Sequence, residues 1–324
     1  MTDLPWQPLE AMEAGTSLGS ERCVVAIGVF DGVHRGHREL LAEAKDDARS
    51  RHVPLVAVTF DPDPAEVLHP EACPKRLLGT GDRIAWLHAA GADEVVVLGF
   101  DHDLASLAPE EFVVRGICGN MVPVSVHVGS NFRFGARGSG TPATLFELGR
   151  RHGFVAHTHG LVESDGDVVS ATRIRSLLAE GGRLDDANRL LGRCHYVRGT
   201  VRHGRGEGTS FGFPTANVVM DPHDCMPAEG VYAGYVSSGD RAWPAAVNVG
   251  APPTFSSPEP AFLEANLIGF SGDLYGRAVA VSFVHWLRPS RRFDSLEELE
   301  RVVLGNVDWV RKNLGEGAIS LRKR

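Results

Sequence analysis

At 324 residues the chain exceeds a typical single folding core of about 100–200 residues, so we expect two domains, and its 43% hydrophobic and 23% charged residues exclude long disordered regions. A net charge of −8 disfavours a nucleic-acid partner, because binding a phosphate backbone needs clustered cations. The five cysteines are odd in number and lack CxxC spacing, so we expect no disulfide framework. No apolar segment is long enough for a signal peptide or a membrane span, so we expect a cytoplasmic protein.

Apolar runs alternate with helical segments through the first half of the sequence. Strands are expected at residues 24–30, 55–60, 94–100 and 125–129, and helices at residues 37–51, 83–90 and 109–115. Apolar strands that alternate with helices are typical of a parallel sheet with helices on both faces. We therefore expect an α/β domain in this half.

The pattern changes after residue 193. Two short helices are expected between residues 170 and 193, and the strand-like segments beyond them are separated by Gly, Pro, Ser and Asp. This arrangement predicts an antiparallel β-barrel, followed by an amphipathic terminal helix near 296–313. We place the domain boundary near Asp186, which gives domains 1–186 and 187–324.

The densest chemical signal is GVFDGVHRGH at residues 28–37, between the first strand and the first helix. Ligands of open parallel sheets bind beyond the carboxyl ends of the strands, and a helix N-terminus attracts phosphate. His34 and His37 lie three residues apart and would stabilise charge on a triphosphate attacked at its α-phosphorus. The alternative is a surface helix start that the histidines merely cap and hydrate. The candidate ATP contacts in this segment are Gly28, Phe30, Asp31 and Gly32.

This segment looks like the HxGH signature of the nucleotidylyltransferase superfamily, which implies a Rossmann-like first domain. A later segment, SATRIR at residues 170–175, resembles the SSTxIR-type segment of the same superfamily, with Ala171 in place of one serine. Hydroxyl and guanidinium groups at a helix start would hold the outer phosphates of ATP. An N-cap followed by solvated arginines is the alternative. The residues concerned are Ser170, Thr172, Arg173 and Arg175.

Two further loops follow predicted strands and resemble loops of bacterial FMN adenylyltransferases. The first is TFDPDP at residues 59–64, where Asp63 replaces the histidine of the usual FxPHP pattern. The second is VGSNFRFG at residues 128–135. The resemblance implies flavin-binding roles for Asp61, Asn131, Phe132 and Arg133. Exposed loops with one buried aromatic side chain are the alternative.

A glycine-rich loop precedes a PTAN tetrapeptide in the second half. Such a loop can fold over a nucleotide through its backbone amides, whereas a flexible hairpin is the alternative. Thr215 and Asn217 lie two apart on a predicted strand and supply neutral oxygens that suit Mg²⁺ shared with ATP. The candidate ATP contacts of this loop are Gly204, Gly206, Gly208, Gly212, Pro214, Thr215 and Asn217.

The motifs that follow, at residues 230–233, 248–255 and 262–276, resemble riboflavin kinase, a six-stranded barrel, in their order. The resemblance implies that Glu264 is the base that deprotonates the ribityl 5′ hydroxyl. The sequence departs from the family's ExHxxDF pattern, because Asn266 and Gly269 replace its histidine and aspartate. Glu207 and Thr209 also stand where bacterial relatives commonly have arginines.

Both motif sets occur in the order found in bifunctional bacterial riboflavin kinase/FAD synthetases. The resemblance implies an ATP-dependent transferase that uses Mg²⁺, converts riboflavin to FMN and FMN to FAD, and acts on small molecules as a monomer or weak homo-oligomer. Two alternatives stay open. The barrel of a related FAD synthetase could be inactive or altered in its flavin specificity, or the protein could bind or sense flavin without turnover.

Overall fold

The computed structural model describes residues 4–13, 22–119, 121–164, 166–203, 215–250, 263–291 and 293–321. It divides into two compact units, Leu9–Ala171 and Met1–Pro8 with Thr172–Arg324. The predicted domain boundary near Asp186 lies inside a helix at Leu184–Leu191 and stays a prediction. None of the helices in the described ranges has the length and apolarity needed to cross a membrane.

The first unit contains a five-stranded parallel sheet in the order β3-β2-β1-β4-β5. Its strands are β1 (Arg22–Ile27), β2 (Leu55–Phe60), β3 (Glu94–Leu98), β4 (Val122–Gly129) and β5 (Val155–His159). The chain order reverses between β1 and β4, and the carboxyl ends of these two strands therefore border the crevice where such sheets bind ligands. The predicted α/β fold is confirmed, and β5 is a strand that the sequence pattern did not reveal.

Helices cover both faces of this sheet. They are α1 (Arg35–Arg51), α2 (Pro64–Leu68), α3 (Thr80–Ala89), α4 (His102–Ser106), α5 (Pro109–Phe112) and α6 (Pro142–His152), and Val113–Cys118 continues α5 as a π-helical segment. On one face, Val126 and Val128 of β4 share a core with Leu145 and Leu148 of α6. Because side chains alternate along a strand, Ser125 and the other odd-numbered residues of β4 face α1. A two-stranded ribbon, β6 (Glu163–Ser164) and β7 (Asp167–Val168), precedes the next helix.

The second unit contains a closed antiparallel barrel in the order β10-β13-β8-β9-β12-β11, with β11 pairing back to β10. Its elements are α7 (Ala171–Ala179), α8 (Leu184–Leu191), β8 (His195–Arg202), β9 (Ala216–Met220), β10 (Gly230–Ser238), β11 (Arg241–Val249), β12 (Leu263–Leu267), β13 (Ala278–Pro289), α9 (Leu296–Leu314) and β14 (Ile319–Ser320). The predicted six-stranded barrel and terminal helix are confirmed, and β14 adds a short strand beside β11.

Apolar packing holds this barrel together. Alternate strand residues such as Val247, Leu263 and Phe283 are fully buried in its interior. Outside, Val307 and Val310 of α9 pack in a separate apolar cluster with residues of the barrel wall. The two valines are three residues apart, so they lie on one face of the helix, as an amphipathic terminal helix requires.

Candidate functional site

A sharp turn connects β1 to α1. The Gly28 amide donates to the Val58 carbonyl at 3.1 Å, which extends the sheet pairing to the end of β1. The backbone then takes positive φ angles at Phe30 (54°), Gly32 (77°) and Val33 (38°). Glycine adopts this conformation freely, whereas a bulky or β-branched residue does so only under strain, which is typical of functional sites. The turn delivers the next residue, His34, to the start of α1.

His34 and His37 form a stacked pair at that helix start. Their ring centroids are 3.6 Å apart with an interplanar angle of 18°. His34 caps α1, because its Nδ1 accepts from the His37 amide at 3.4 Å. Gly36 permits the stack, since a Cβ there would lie 3.3 Å from the His34 ring. The structure thus brings the two predicted catalytic histidines together.

The electrostatics of the pair keep His37 neutral. Burial and the nearby His34 lower the pKa of His37 well below its usual value. Its buried Nδ1 has no hydrogen-bond partner among the described residues. On His34, the capping bond uses Nδ1 as an acceptor, so a neutral ring carries its proton on Nε2. Imidazole N–H groups beside a helix N-terminus can donate hydrogen bonds to an anion.

Asp31, a predicted ATP contact, holds a neighbouring segment of the backbone. Its Oδ1 accepts from the amides of Leu77 at 2.9 Å and Leu78 at 3.3 Å, and the residue is only 8% exposed. These bonds fasten the chain that leads into α3 to the turn after β1. Asp31 therefore has a structural role at the site, and its predicted contact with ATP stays a prediction.

We expect Asp31→Ala to lower the free energy of unfolding of the first unit by about 1–3 kcal/mol, because two buried amides lose their acceptor. Asp31→Asn keeps an acceptor oxygen and should lose markedly less. Denaturant unfolding followed by circular dichroism measures the difference. Equal losses in both variants would contradict this role for the carboxylate oxygen, since asparagine keeps one acceptor oxygen where alanine keeps none.

Arg83 is a site residue that the sequence did not single out. It lies on α3, is only 4% exposed, and its guanidinium donates to the carbonyl oxygens of Val29 at 3.1 Å and Phe60 at 2.6 Å. Burial lowers the pKa of Arg83, and the carboxylates of Asp31 and Asp63 act against that shift. An arginine on a predicted helix is usually solvated. The signal available in the sequence is its position directly before the apolar run IAWL of α3, and residues 82–87 are all buried.

The predicted flavin residues lie in loops at the carboxyl ends of β2 and β4. Asp61 is exposed directly after β2, and Asp63 caps α2 by accepting from the Ala65 amide at 2.9 Å. After β4, Asn131 and Arg133 are exposed. These two loops therefore border the same edge of the sheet as the histidine pair.

A row of aromatic rings runs from the core to the loop after β4. Phe60 contacts Phe112 with ring centroids 6.5 Å apart, and Phe112 contacts Phe134 at 5.6 Å. Phe134 stacks on the half-buried Phe132 at 5.5 Å. The predicted flavin residue Phe132 is thus supported from beneath by buried rings, which fixes its orientation.

The SATRIR segment begins at the end of the first unit. The Val169 carbonyl lies 3.6 Å from the position of a Cβ on Gly36, so the backbone next to Ser170 adjoins the start of α1. Thr172, Arg173 and Arg175 belong to the first two turns of α7. Thr172 is exposed and both arginines are half-buried.

In the barrel, three polar residues face one another across β9, β12 and β11. Glu264 of β12 is paired with Asn217 on one side and Asn248 on the other. Its neighbours Leu263 and Ala265 are fully buried, so Glu264 lies on the opposite face of the strand. Asn217 is 8% exposed, and its Oδ1 is buried without a hydrogen-bond partner among the described residues.

The other predicted residues of this site are placed only in part. Thr215 directly precedes β9 and is half-buried. The candidate contacts that lie outside the described residues are Gly204, Gly206, Gly208, Gly212 and Pro214. The structure therefore brings the predicted base Glu264 next to one predicted metal ligand, Asn217.

Comparisons with known proteins assign a family to each half. The FAD synthetase family model matches residues 17–173, and the riboflavin kinase model matches residues 191–314. The chain is 38% identical over 285 residues to a bifunctional riboflavin kinase/FMN adenylyltransferase of Pseudomonas fluorescens, covering 88% of this chain and 91% of that protein. The chain belongs to the bifunctional riboflavin kinase/FMN adenylyltransferase family. The resemblance seen in the sequence is confirmed.

Further members of this family are similar over most of their length. The Escherichia coli K12 protein is 36% identical, with 86% of this chain and 89% of that protein covered, and the Bacillus subtilis protein is 34% identical, with 86% and 88% covered. A crystal structure described as a macrolide-efflux protein from Streptococcus pneumoniae superimposes with a TM-score of 0.81 at 31% identity, covering 92% of this chain and 96% of that one.

The structure explains one departure from the family's kinase pattern. Gly269, which stands where ExHxxDF has aspartate, has a φ of 76°. A Cβ on Gly269 would lie 2.6 Å from the Gly317 amide nitrogen, which is too close for any side chain. Local backbone packing in this family member therefore requires glycine, and an aspartate cannot occupy the position without moving the segment around Gly317.

Proposed function

We propose that this chain phosphorylates riboflavin to FMN in its barrel and adenylylates FMN to FAD in its α/β unit. The observation that carries the proposal is that each half matches a different family. The predicted reactive residues support it, because His34 stacks on His37 and Glu264 is the strand partner of Asn217. ATP, riboflavin, FMN and FAD are the substrates and products. We assign the two activities to the predicted domains 1–186 and 187–324.

In adenylyl transfer, an FMN phosphate oxygen attacks the α-phosphorus of ATP. The new P–O bond forms as the bond to the β-phosphate oxygen breaks, and pyrophosphate leaves, so no protein nucleophile is needed. The ring N–H groups of His34 and His37 donate hydrogen bonds to the phosphate oxygens where charge accumulates. The turn at Gly28 and Gly32 lets backbone amides approach these oxygens.

Substrate binding in the same unit uses the loops beside this turn. Phe132, stacked on a buried ring, offers a flat apolar surface to the flavin, while Asn131 and Arg133 offer a hydrogen-bonding amide and a cation. Asp61 lies at the same edge of the sheet. The SATRIR residues Ser170, Thr172, Arg173 and Arg175 are the proposed contacts of the outer phosphates.

In the kinase reaction, the Glu264 carboxylate accepts the proton of the ribityl 5′ hydroxyl as its oxygen attacks the γ-phosphorus of ATP and ADP leaves. The residues fit a Mg²⁺ ion, because the buried Asn217 Oδ1 lacks a hydrogen-bond partner among the described residues and Thr215 adds a hydroxyl. Bound Mg²⁺ offsets charge on the ATP phosphates. Asn217 and Thr215 would hold it beside Glu264.

We place this activity in the cytoplasm, where the partners are small molecules and not nucleic acid or membrane. The net charge of −8 supports the exclusion of nucleic acid as a partner. We further propose that the chain works as a monomer or weak homo-oligomer, since each site is proposed to be built from residues of one copy.

The test is a time course of the purified chain with riboflavin and MgATP, resolved by chromatography. We expect FMN to appear first, FAD to follow, and pyrophosphate to accumulate with FAD. FAD formation from added FMN without phosphorylation of riboflavin would mean an inactive barrel. Flavin binding without either product would overturn the proposed function.

A further inference from the structure

A second cluster of histidines and carboxylates lies between α1 and the edge of the sheet. His127 of β4 is paired in parallel register with His157 of the edge strand β5, and His159 follows two residues later on the same face. Glu43 and Asp47 project toward them from α1, one helical turn apart. We call Glu43, Asp47, His127, His157 and His159 the histidine cluster. None of these residues takes part in the proposed reactions.

Hydrogen-bond contacts link four members of the histidine cluster in a chain. His159 Nδ1 lies 2.8 Å from Glu43 Oε2, and His159 Nε2 lies 2.9 Å from His127 Nδ1. The other nitrogen of that ring, His127 Nε2, lies 3.2 Å from Asp47 Oδ2. The side chains of His127 and His159 are only 3% and 12% exposed, whereas Glu43 is 67% exposed, so the contact between the two rings is shielded from water and the Glu43 end is open to it.

With both imidazoles neutral, this chain of contacts lacks one hydrogen. Each of its three contacts needs a hydrogen, but two neutral imidazoles carry only two, and both ends are carboxylates. One hydrogen lies on His159 Nδ1 and is donated to Glu43, and the other lies on His127 Nδ1 and is donated to His159. The remaining contact then joins His127 Nε2, which carries no hydrogen, to an oxygen of Asp47. The Asp47 carboxylate also accepts hydrogen bonds from Ser125 and Arg51. Either a proton on His127 Nε2 or a metal ion bound between His127 and Asp47 completes this contact.

His157 supplies the independent observation that points to a metal. Its ring stacks on His127 with centroids 4.5 Å apart, and its buried Nε2 has no hydrogen-bond partner among the described residues. One ligand atom each from Asp47, His127 and His157 lies within 4.8 Å of the others. The ring that stacks on His127 thus carries a buried imidazole nitrogen without a hydrogen-bond partner among the described residues.

We propose that Asp47, His127 and His157 bind a divalent transition metal such as Zn²⁺. Ligands of a tetrahedral zinc ion at about 2.0–2.1 Å lie about 3.3–3.4 Å apart, close to the 3.2 Å between His127 Nε2 and Asp47 Oδ2. A nitrogen of His157 lies within 4.8 Å of both ligand atoms, so metal binding would require this ring to approach them. Two imidazoles favour zinc, cobalt or nickel over Mg²⁺ and Ca²⁺, which prefer oxygen ligands.

The rest of the cluster forms the outer partners of this site. His159 accepts from the Nδ1–H of His127 and donates its own Nδ1–H to Glu43. Such carboxylate–histidine pairs orient the ligands of many bound metals. Ser125 donates to the coordinating carboxylate. The metal would tie α1, which starts at the catalytic pair, to the unpaired edge of the sheet, and so hold the site in place without entering the reaction.

Zn²⁺ or Co²⁺ titration of the EDTA-treated full chain tests the proposal. We expect about one equivalent of Zn²⁺ in calorimetry and a tetrahedral Co²⁺ absorption band in the visible range. At a hundredfold excess of metal over Kd, the melting temperature of the first unit should rise by about 5–10 °C. Failure of the chain to take up either ion would overturn the proposal.

Variants locate the ion. Asp47→Asn and His157→Gln, checked for folding by circular dichroism, should each abolish uptake, whereas Glu43→Gln should weaken affinity by about 10–100-fold. The matched control is the His34→Gln/His37→Gln double variant, which should retain full uptake. Metal binding that persists in both Asp47→Asn and His157→Gln, or that is lost in the control, would overturn the assignment to the histidine cluster.

Discussion

Replacing His34 and His37 together by alanine should lower the rate of FAD formation from FMN by at least about 10³-fold, while FMN formation from riboflavin continues unchanged. Removing a single preorganised donor from a charge-stabilising site costs about 10²–10³ in rate, and the two stacked rings supply two donors at one helix start. Steady-state assays of each half-reaction, with products separated by chromatography, measure the two rates.

Helix capping complicates this experiment, because His34 also accepts from the His37 amide. His34→Asn removes the imidazole but keeps a side chain that is among the best N-caps. We expect this variant to fold normally and still to lose FAD formation. His102→Ala, at an exposed position of α4, is the matched control and should be fully active. Equal loss of both half-reactions in the double alanine variant would argue against separate sites.

Glu264→Gln should lower the rate of riboflavin phosphorylation by about 10²–10⁴-fold, the usual contribution of a positioned general base. Glutamine keeps the size of the side chain and its place between Asn217 and Asn248, but it cannot accept the proton of the 5′ hydroxyl. Adenylylation of added FMN should stay normal. The measurement is FMN production from riboflavin and MgATP at saturating substrate.

A change in kcat with little change in KM for riboflavin is the expected signature, since the lost interaction forms only as the proton moves. Glu300→Gln, on the exposed side of α9, is the matched control. Unchanged phosphorylation in Glu264→Gln would remove this carboxylate from the mechanism. Loss of both half-reactions would instead indicate that the substitution disturbs more than the barrel.

The sequence predicted those parts of the fold whose signals are local. Buried strands such as β1 are continuous apolar runs, and the turn that follows carries glycines and histidines at readable spacing. Strand β5 escaped prediction because its sequence, VAHTH, has no apolar run and no apolar–polar alternation, and none of its residues is fully buried, since it is an edge strand.

Contacts between distant segments could not be predicted in the same way. The bonds from Asp31 to the amides of Leu77 and Leu78 join residues 46 and 47 positions apart. Arg83 donates to the carbonyl oxygens of Val29 and Phe60, which follow or end two different strands. No residue pattern in the sequence indicates these contacts. The histidine cluster likewise exists only because β4 and β5 are neighbours in the sheet and α1 covers them.

The cross-strand alignment of Glu264 has a consequence for folding fidelity. Sliding β12 by a single residue along its neighbours would turn the carboxylate toward the barrel interior and push Leu263 out to water, so the misaligned form would bury a charge and expose a large apolar side chain. The burial of the leucine and alanine that flank Glu264 therefore favours the correct strand register over the shifted one. Buried residues without a proposed role in the reaction thus fix the face of β12 on which the predicted base Glu264 lies.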